Sequence, residues 1–68
     1  MESFPERILK LRNDAGLSRE DFHKKTGLST RSLQRYEYGE REPTLSTLVL
    51  FAKFYHVSLD YLAGLTDF

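Results

Sequence analysis

Residues Leu17–Gly39 read LSREDFHKKTGLSTRSLQRYEYG, and two helix starts and two helix stops fall inside them. Ser18 is a good N-cap, because its side-chain oxygen can accept from the free N–H groups of a first turn. The run Arg19 to Thr26 follows and stops at Gly27, where a positive φ is available without a Cβ clash. Ser29 can cap a second helix, Thr30 to about Tyr38, which Gly39 ends. Phe22, Leu28, Leu33 and Tyr36 supply apolar positions to pack the two helices together. The outer face of the second helix then carries Thr30, Arg31, Gln34 and Arg35.

Two short helices, a turn containing Gly and a polar second helix have the sequence shape of a DNA-binding helix-turn-helix. The residues around the stretch carry the same reading further. Arg12, Gly16-Leu17-Ser18, Phe22, Gly27, Ser29, Leu33, Glu37-x-Gly39, Pro43, Thr47-Leu48, Ala52 and Val57-Ser58-Leu59-Asp60 stand in order over about Phe4 to Leu65. In that order and at those spacings the chain resembles the Cro/repressor-type (xenobiotic-response-element-like) helix-turn-helix family of bacterial and phage regulators.

Outward from the core stretch, Pro5 suits the first turn of a helix, where its missing N–H costs nothing. Ile8, Leu11 and Ala15 recur at helical steps. The spacing predicts a first helix over about 5–15, ended by Gly16, with Leu17 turning inward. After Gly39 comes the polar loop Glu40-Arg41-Glu42-Pro43, in which Pro43 biases Glu42 away from helix. Thr44 caps a fourth helix over about 45–55, whose Leu45, Leu48, Val49, Phe51, Ala52 and Tyr55 make it the expected core helix. His56 ends it. Ser58 caps a last short helix, 59–63, with Leu62 inward and Gly64 closing it. The expectation is an all-α, compact five-helix bundle of the lambda-repressor-like type, a single domain over residues 1–68.

Composition narrows the function classes. A chain of 68 residues buries only about 60% of its unfolded surface, and with no Cys neither disulfide nor thiolate metal site supports it. His23 and His56 are the only histidines, and no Cys or paired carboxylate stands at ligand spacing with them. No metal and no cofactor are therefore expected. Ser18, Ser29, Thr44 and Ser58 have capping roles and no positioned base is visible, so no enzyme is expected either. No run approaches the roughly 20 apolar residues of a membrane span, and MESFPERI has no apolar signal segment. A cytoplasmic location is the expectation. Net charge is zero, but residues 1–36 carry eight basic and five acidic side chains and residues 37–68 carry two and five. That asymmetry is what a chain with one anion-facing half would show; chance scatter gives it as well.

The family resemblance implies which residues do what. The second helix of the motif would lie in the DNA major groove, with Thr30, Arg31, Gln34 and Arg35 at base edges. The Arg fork suits guanine O6 and N7, and Gln suits adenine. Arg19, where the family commonly has a phosphate-binding Gln, would reach backbone phosphate together with Ser29, Tyr38 and Arg41. Lys10, Lys24 and Lys25 are weaker candidates. Arg12 and Glu37 would form the family's partly buried ion pair between the first and third helices. Two residues depart from the pattern. His23 stands where Ala is usual and Thr26 where an apolar residue is preferred, so a polar group falls near a tight crossing. His23 would splay the helices, reach out to a phosphate, or simply be solvated. The implied function is a sequence-specific double-stranded DNA binder, a transcriptional regulator of repressor type acting as a homodimer. Half-sites would lie one DNA turn apart, roughly 34–36 Å. Tyr61, Leu65 and Phe68 would form the dimer surface or cover the core. Gly64-Leu65-Thr66-Asp67 looks like an exit from the domain, which leaves open a further C-terminal domain or a protein partner beyond Phe68 as well as an end there. The alternative is the same fold used as a protein-protein interaction module, such as an antitoxin.

Overall fold

A computed structural model describes residues 2–68, which contain five helices and, among the described residues, no strand. They are α1 (Phe4–Asp14), α2 (Arg19–Thr26), α3 (Thr30–Glu37), α4 (Leu45–Tyr55) and α5 (Leu59–Ala63). Side chains of the chain itself set the starts. Ser18, Ser29, Thr44 and Ser58 each accept from a backbone N–H three residues on. At α2 the arrangement is reciprocal: Ser18 Oγ accepts from the Asp21 N–H at 3.0 Å, and the Ser18 N–H donates to the Asp21 carboxylate at 3.1 Å. Ser3 caps α1 and donates from both its N–H and its hydroxyl to Glu6. These bonds hold the Glu6 and Asp21 carboxyls below their ordinary pKa values, the backbone N–H of the capping Ser being the larger cause in each. α2 and α5 stop at left-handed glycines, Gly27 and Gly64. α4 stops instead at His56, whose φ of 57° makes it the one non-glycine in that region among the described residues.

The core is aromatic. Phe22 of α2 and Phe51 of α4, both fully buried, stack with ring centres 5.4 Å apart. Phe4, Tyr36, Phe54 and Tyr55 pack edge-on or stacked around them. Ile8, Leu33 and Leu62 complete the fully buried set with Tyr36, and Leu17, Leu28 and Leu48 pack against it. α4 is less enclosed than its composition suggests. Of its expected face only Phe51 is fully buried, and Leu45, first residue of the helix, is 70% exposed.

Charge is buried with the aromatics. The Glu37 side chain is inaccessible to solvent. Its carboxylate accepts from Arg12 Nε at 2.6 Å and Arg12 Nη2 at 3.0 Å, and from Arg19 Nε at 2.9 Å. Arg12 Nη1 donates in addition to the Leu17 carbonyl at 2.8 Å. One guanidinium thus joins α1, the α1–α2 turn and the end of α3. Arg7, which the charge balance above counts with the basic half, is not on the surface at all. It is buried, with its guanidinium 4.3 Å from the Tyr61 ring centre. It donates to the carbonyls of Glu2, Tyr61 and Thr66, and lies 3.6 Å from the exposed Asp67 carboxylate. Tyr61 therefore belongs to the core side of α5, while Leu65 and Phe68 are exposed.

Three expectations follow. Replacing Glu37 by Gln leaves two guanidiniums without their counter-ion, so unfolding in urea should show a loss of about 3–5 kcal/mol. Replacing His56 by Gly removes the left-handed Cβ penalty, partly offset by unfolded-chain entropy, and should raise stability by up to about 1 kcal/mol. The capping bonds of Glu6 and Asp21 favour the ionised carboxyl. Their stabilisation is present above the ordinary values of 4.5 and 3.8 and is lost as pH falls through the lowered folded-state values. Acid titration of the unfolding midpoint should be shallower in a Glu6→Gln/Asp21→Asn double variant.

Candidate nucleic-acid interface

The inner side of α3 is fixed by Leu33, Tyr36 and Glu37, all buried. A helix anchored at those positions must turn the residues between them outward. Arg31, Gln34 and Arg35 are exposed and Thr30 is half-buried. Arg31, Gln34 and Arg35 occupy positions i, i+3 and i+4 of one face, where neighbouring side chains lie beside each other. Neither Arg31 nor Arg35 has a carboxylate within ion-pair distance among the described residues, whose ion pairs are those of Arg7, Arg12 and Arg19. Two like charges one turn apart repel by a few tenths of a kcal/mol. That face carries two cations with no carboxylate partner among the described residues.

The flanking residues are more engaged. Ser29 Oγ accepts from the Ser32 N–H at 3.1 Å, which leaves its own hydroxyl proton to donate. Arg19 stands at the first position of α2, its side chain 30% exposed, with its guanidinium 5.3 Å from the ring centre of the exposed Tyr38. Glu37 holds the Arg19 pKa above its ordinary value against the opposing effect of burial, with Tyr38 adding to the rise. Arg19 is thus a fixed cation at any working pH. Arg41 lies with its guanidinium 5.8 Å from the ring centre of the buried Tyr36. Lys10, Lys24 and Lys25 are exposed.

The two departures in the turn prove to be local. His23 Nδ1 donates to the Leu28 carbonyl at 2.9 Å. Thr26 Oγ1 donates to the Phe22 carbonyl at 2.8 Å and accepts from the Leu28 N–H at 3.2 Å. Both polar groups find partners in the α2–α3 segment, and His23, half-buried, is held there through Nδ1. Among the described residues no buried side-chain nitrogen or oxygen lacks a partner.

An open groove of about 300 Å³ lies between Phe4, Pro5, Pro43, Leu48 and Ala63, and its polar lining is Arg41 and Glu42, without a nucleophile–base pair. Among the described residues no three His, Cys, Asp or Glu side chains are placed to hold a metal ion, and no helix is long and apolar enough to cross a membrane.

The chain is similar in sequence and in fold to known proteins. The chain is 39% identical over 62 residues to the uncharacterized HTH-type transcriptional regulator YobD of Bacillus subtilis (strain 168), covering 91% of this chain and 55% of that protein. It is 36% identical over 59 residues to the uncharacterized HTH-type transcriptional regulator YqaE of the same organism, covering 87% and 51%. It spans about half the length of these curated relatives. Among solved structures, the P22 c2 repressor protein in complex with a synthetic operator superposes with a TM-score of 0.86 at 26% identity, over 97% of this chain and 100% of that one. A transcriptional regulator from Listeria innocua gives 0.82 at 29% identity, over 91% and 58%. A family model described as "Helix-turn-helix" matches residues 8–62, and on that match the chain belongs to the Cro/repressor-type helix-turn-helix family.

Proposed function

We propose that this chain binds double-stranded DNA sequence-specifically in the cytoplasm and regulates transcription, as a DNA-binding module and not as an enzyme. The observation that carries this is the face of α3, where Arg31, Gln34 and Arg35 are exposed with no carboxylate paired to either arginine. α3 enters the major groove, and Thr30, Arg31, Gln34 and Arg35 meet base edges there. Arg31 and Arg35 suit guanine and Gln34 suits adenine. Arg19, Ser29 and Arg41 meet phosphates, with Tyr38 at the same edge. Superposition on a repressor bound to its operator and kinship to proteins named as transcriptional regulators support the reading. The protein acts as a homodimer on a two-fold symmetric site and blocks a promoter. Since its relatives are about twice as long, a further domain contributes to assembly or signal sensing in the whole protein.

Selection of bound duplexes from a random pool at moderate salt tests this. The natural sequence should enrich a two-fold symmetric site whose binding weakens steeply as salt rises. Arg31→Ala and Arg35→Ala should each relax preference at one base pair per half-site, by about 1–3 kcal/mol. A variant that loses affinity equally for every sequence marks its arginine as a phosphate contact. Absence of enrichment by a folded natural chain would overturn the DNA reading in favour of a protein partner.

A further inference from the structure

The guanidinium of Arg19 is held from two sides, although its side chain is partly open to solvent. Its Nε donates to Glu37 Oε1 at 2.9 Å. Its guanidinium lies over the Tyr38 ring, with 5.3 Å between the guanidinium carbon and the ring centre. Glu37 cannot move with it, because the same carboxylate is fixed by two bonds from Arg12 and is fully enclosed. Tyr38, by contrast, is 57% exposed and caps the end of α3. An arginine bound through Nε and stacked on a ring has lost most of its rotamers already, and its terminal amino groups keep the planar fork that matches a phosphate.

We propose that Glu37 and Tyr38 are positioning residues that aim the terminal amino groups of Arg19 at one DNA phosphate. This rests on the DNA-binding reading above and goes beyond it. The backbone grip at the start of α2 is thereby referenced to the end of α3, so that the two helices meet the duplex as one rigid unit. Tyr38 acts through Arg19 and not through its own hydroxyl. A lysine at position 19 keeps the charge but has no Nε to bind Glu37 and no planar face to stack, so charge alone does not substitute.

The test is a double-mutant cycle read by fluorescence anisotropy, with a labelled duplex enriched in the selection and a series of salt concentrations. The chains are the natural one, Arg19→Lys, Arg19→Gln, Tyr38→Leu and Arg19→Lys/Tyr38→Leu. Both side chains are partly exposed, and thermal unfolding checks that each variant is folded. Arg19→Lys should lose affinity roughly tenfold or more while keeping the salt slope, whereas Arg19→Gln should also lower the slope by about 0.9, one phosphate's worth. Tyr38→Leu should weaken binding in the natural background and add nothing in the Arg19→Lys background. Full affinity in Arg19→Lys, or an equal Tyr38→Leu effect in both backgrounds, would overturn the proposal while leaving DNA binding intact. Failure of the natural chain to bind any duplex would overturn both.

Discussion

The fold depends on one buried carboxylate. Glu37 sits at the last turn of α3 with no solvent access and is held by guanidiniums from α1 and α2. A charge in that position is tolerable only while its partners remain, since stripping either sign from a buried pair leaves the other uncompensated. The arrangement therefore does more than attach helices. It fixes the rotation of α3 about its own axis, because Glu37 must point inward together with Leu33 and Tyr36. The outward face is then determined without any contact of its own.

Burying cations also changes what the charge distribution means. Residues 1–36 hold eight basic side chains, but Arg7 and Arg12 are enclosed and Arg19 is bound to Glu37. The positive field available to a partner comes from Arg31 and Arg35 on α3, the exposed lysines of α1 and α2, and Arg19, whose partly open side chain shares the single charge of Glu37 with Arg12. Net charge over the whole chain is zero, so attraction to an anion rests on local placement. A few cations on one rigid face suffice for that, because screening confines the field of an exposed charge to about 8–10 Å in any case.

Most of the helical framework was legible in the sequence because its boundaries are set by local chemistry. Ser18, Ser29, Thr44 and Ser58 form the caps their types suggest, and Gly27 and Gly64 adopt the positive φ that ends a helix. The outer face of α3 was legible by the same helical period that buries Leu33 and Tyr36. What escaped the reading is tertiary. Arg7 stands three residues after Phe4 and four before Leu11, on the apolar stripe of α1, and that spacing was the available sign of its burial. Its partners lie at the other end of the chain, at Tyr61 and Thr66, where no local rule could place them. Leu45 has the type and spacing of a core residue yet is exposed, because side chains tilt toward a helix's N-terminus and the first residue of α4 has no preceding turn to lie against. His23 and Thr26 looked like intrusions into a helix crossing, because backbone acceptors made available by the turn are invisible to a pattern of side chains.

The same distinction separates the two halves of the candidate interface. Arg31, Gln34 and Arg35 hold nothing in the fold together. Their neighbours inside α3 do the anchoring, and substitution at the outer positions leaves the core untouched. Arg19 and Tyr38 are different, since one contacts the buried carboxylate and the other caps α3. Under the proposed DNA reading, residues of the first kind can vary and alter which sequence is preferred. Those of the second kind are tied to the geometry of the helix pair, so under the same proposal a change there alters how any sequence is held. On that proposal, a backbone grip coupled to the core and base-facing residues uncoupled from it let the domain change target while keeping its docking geometry.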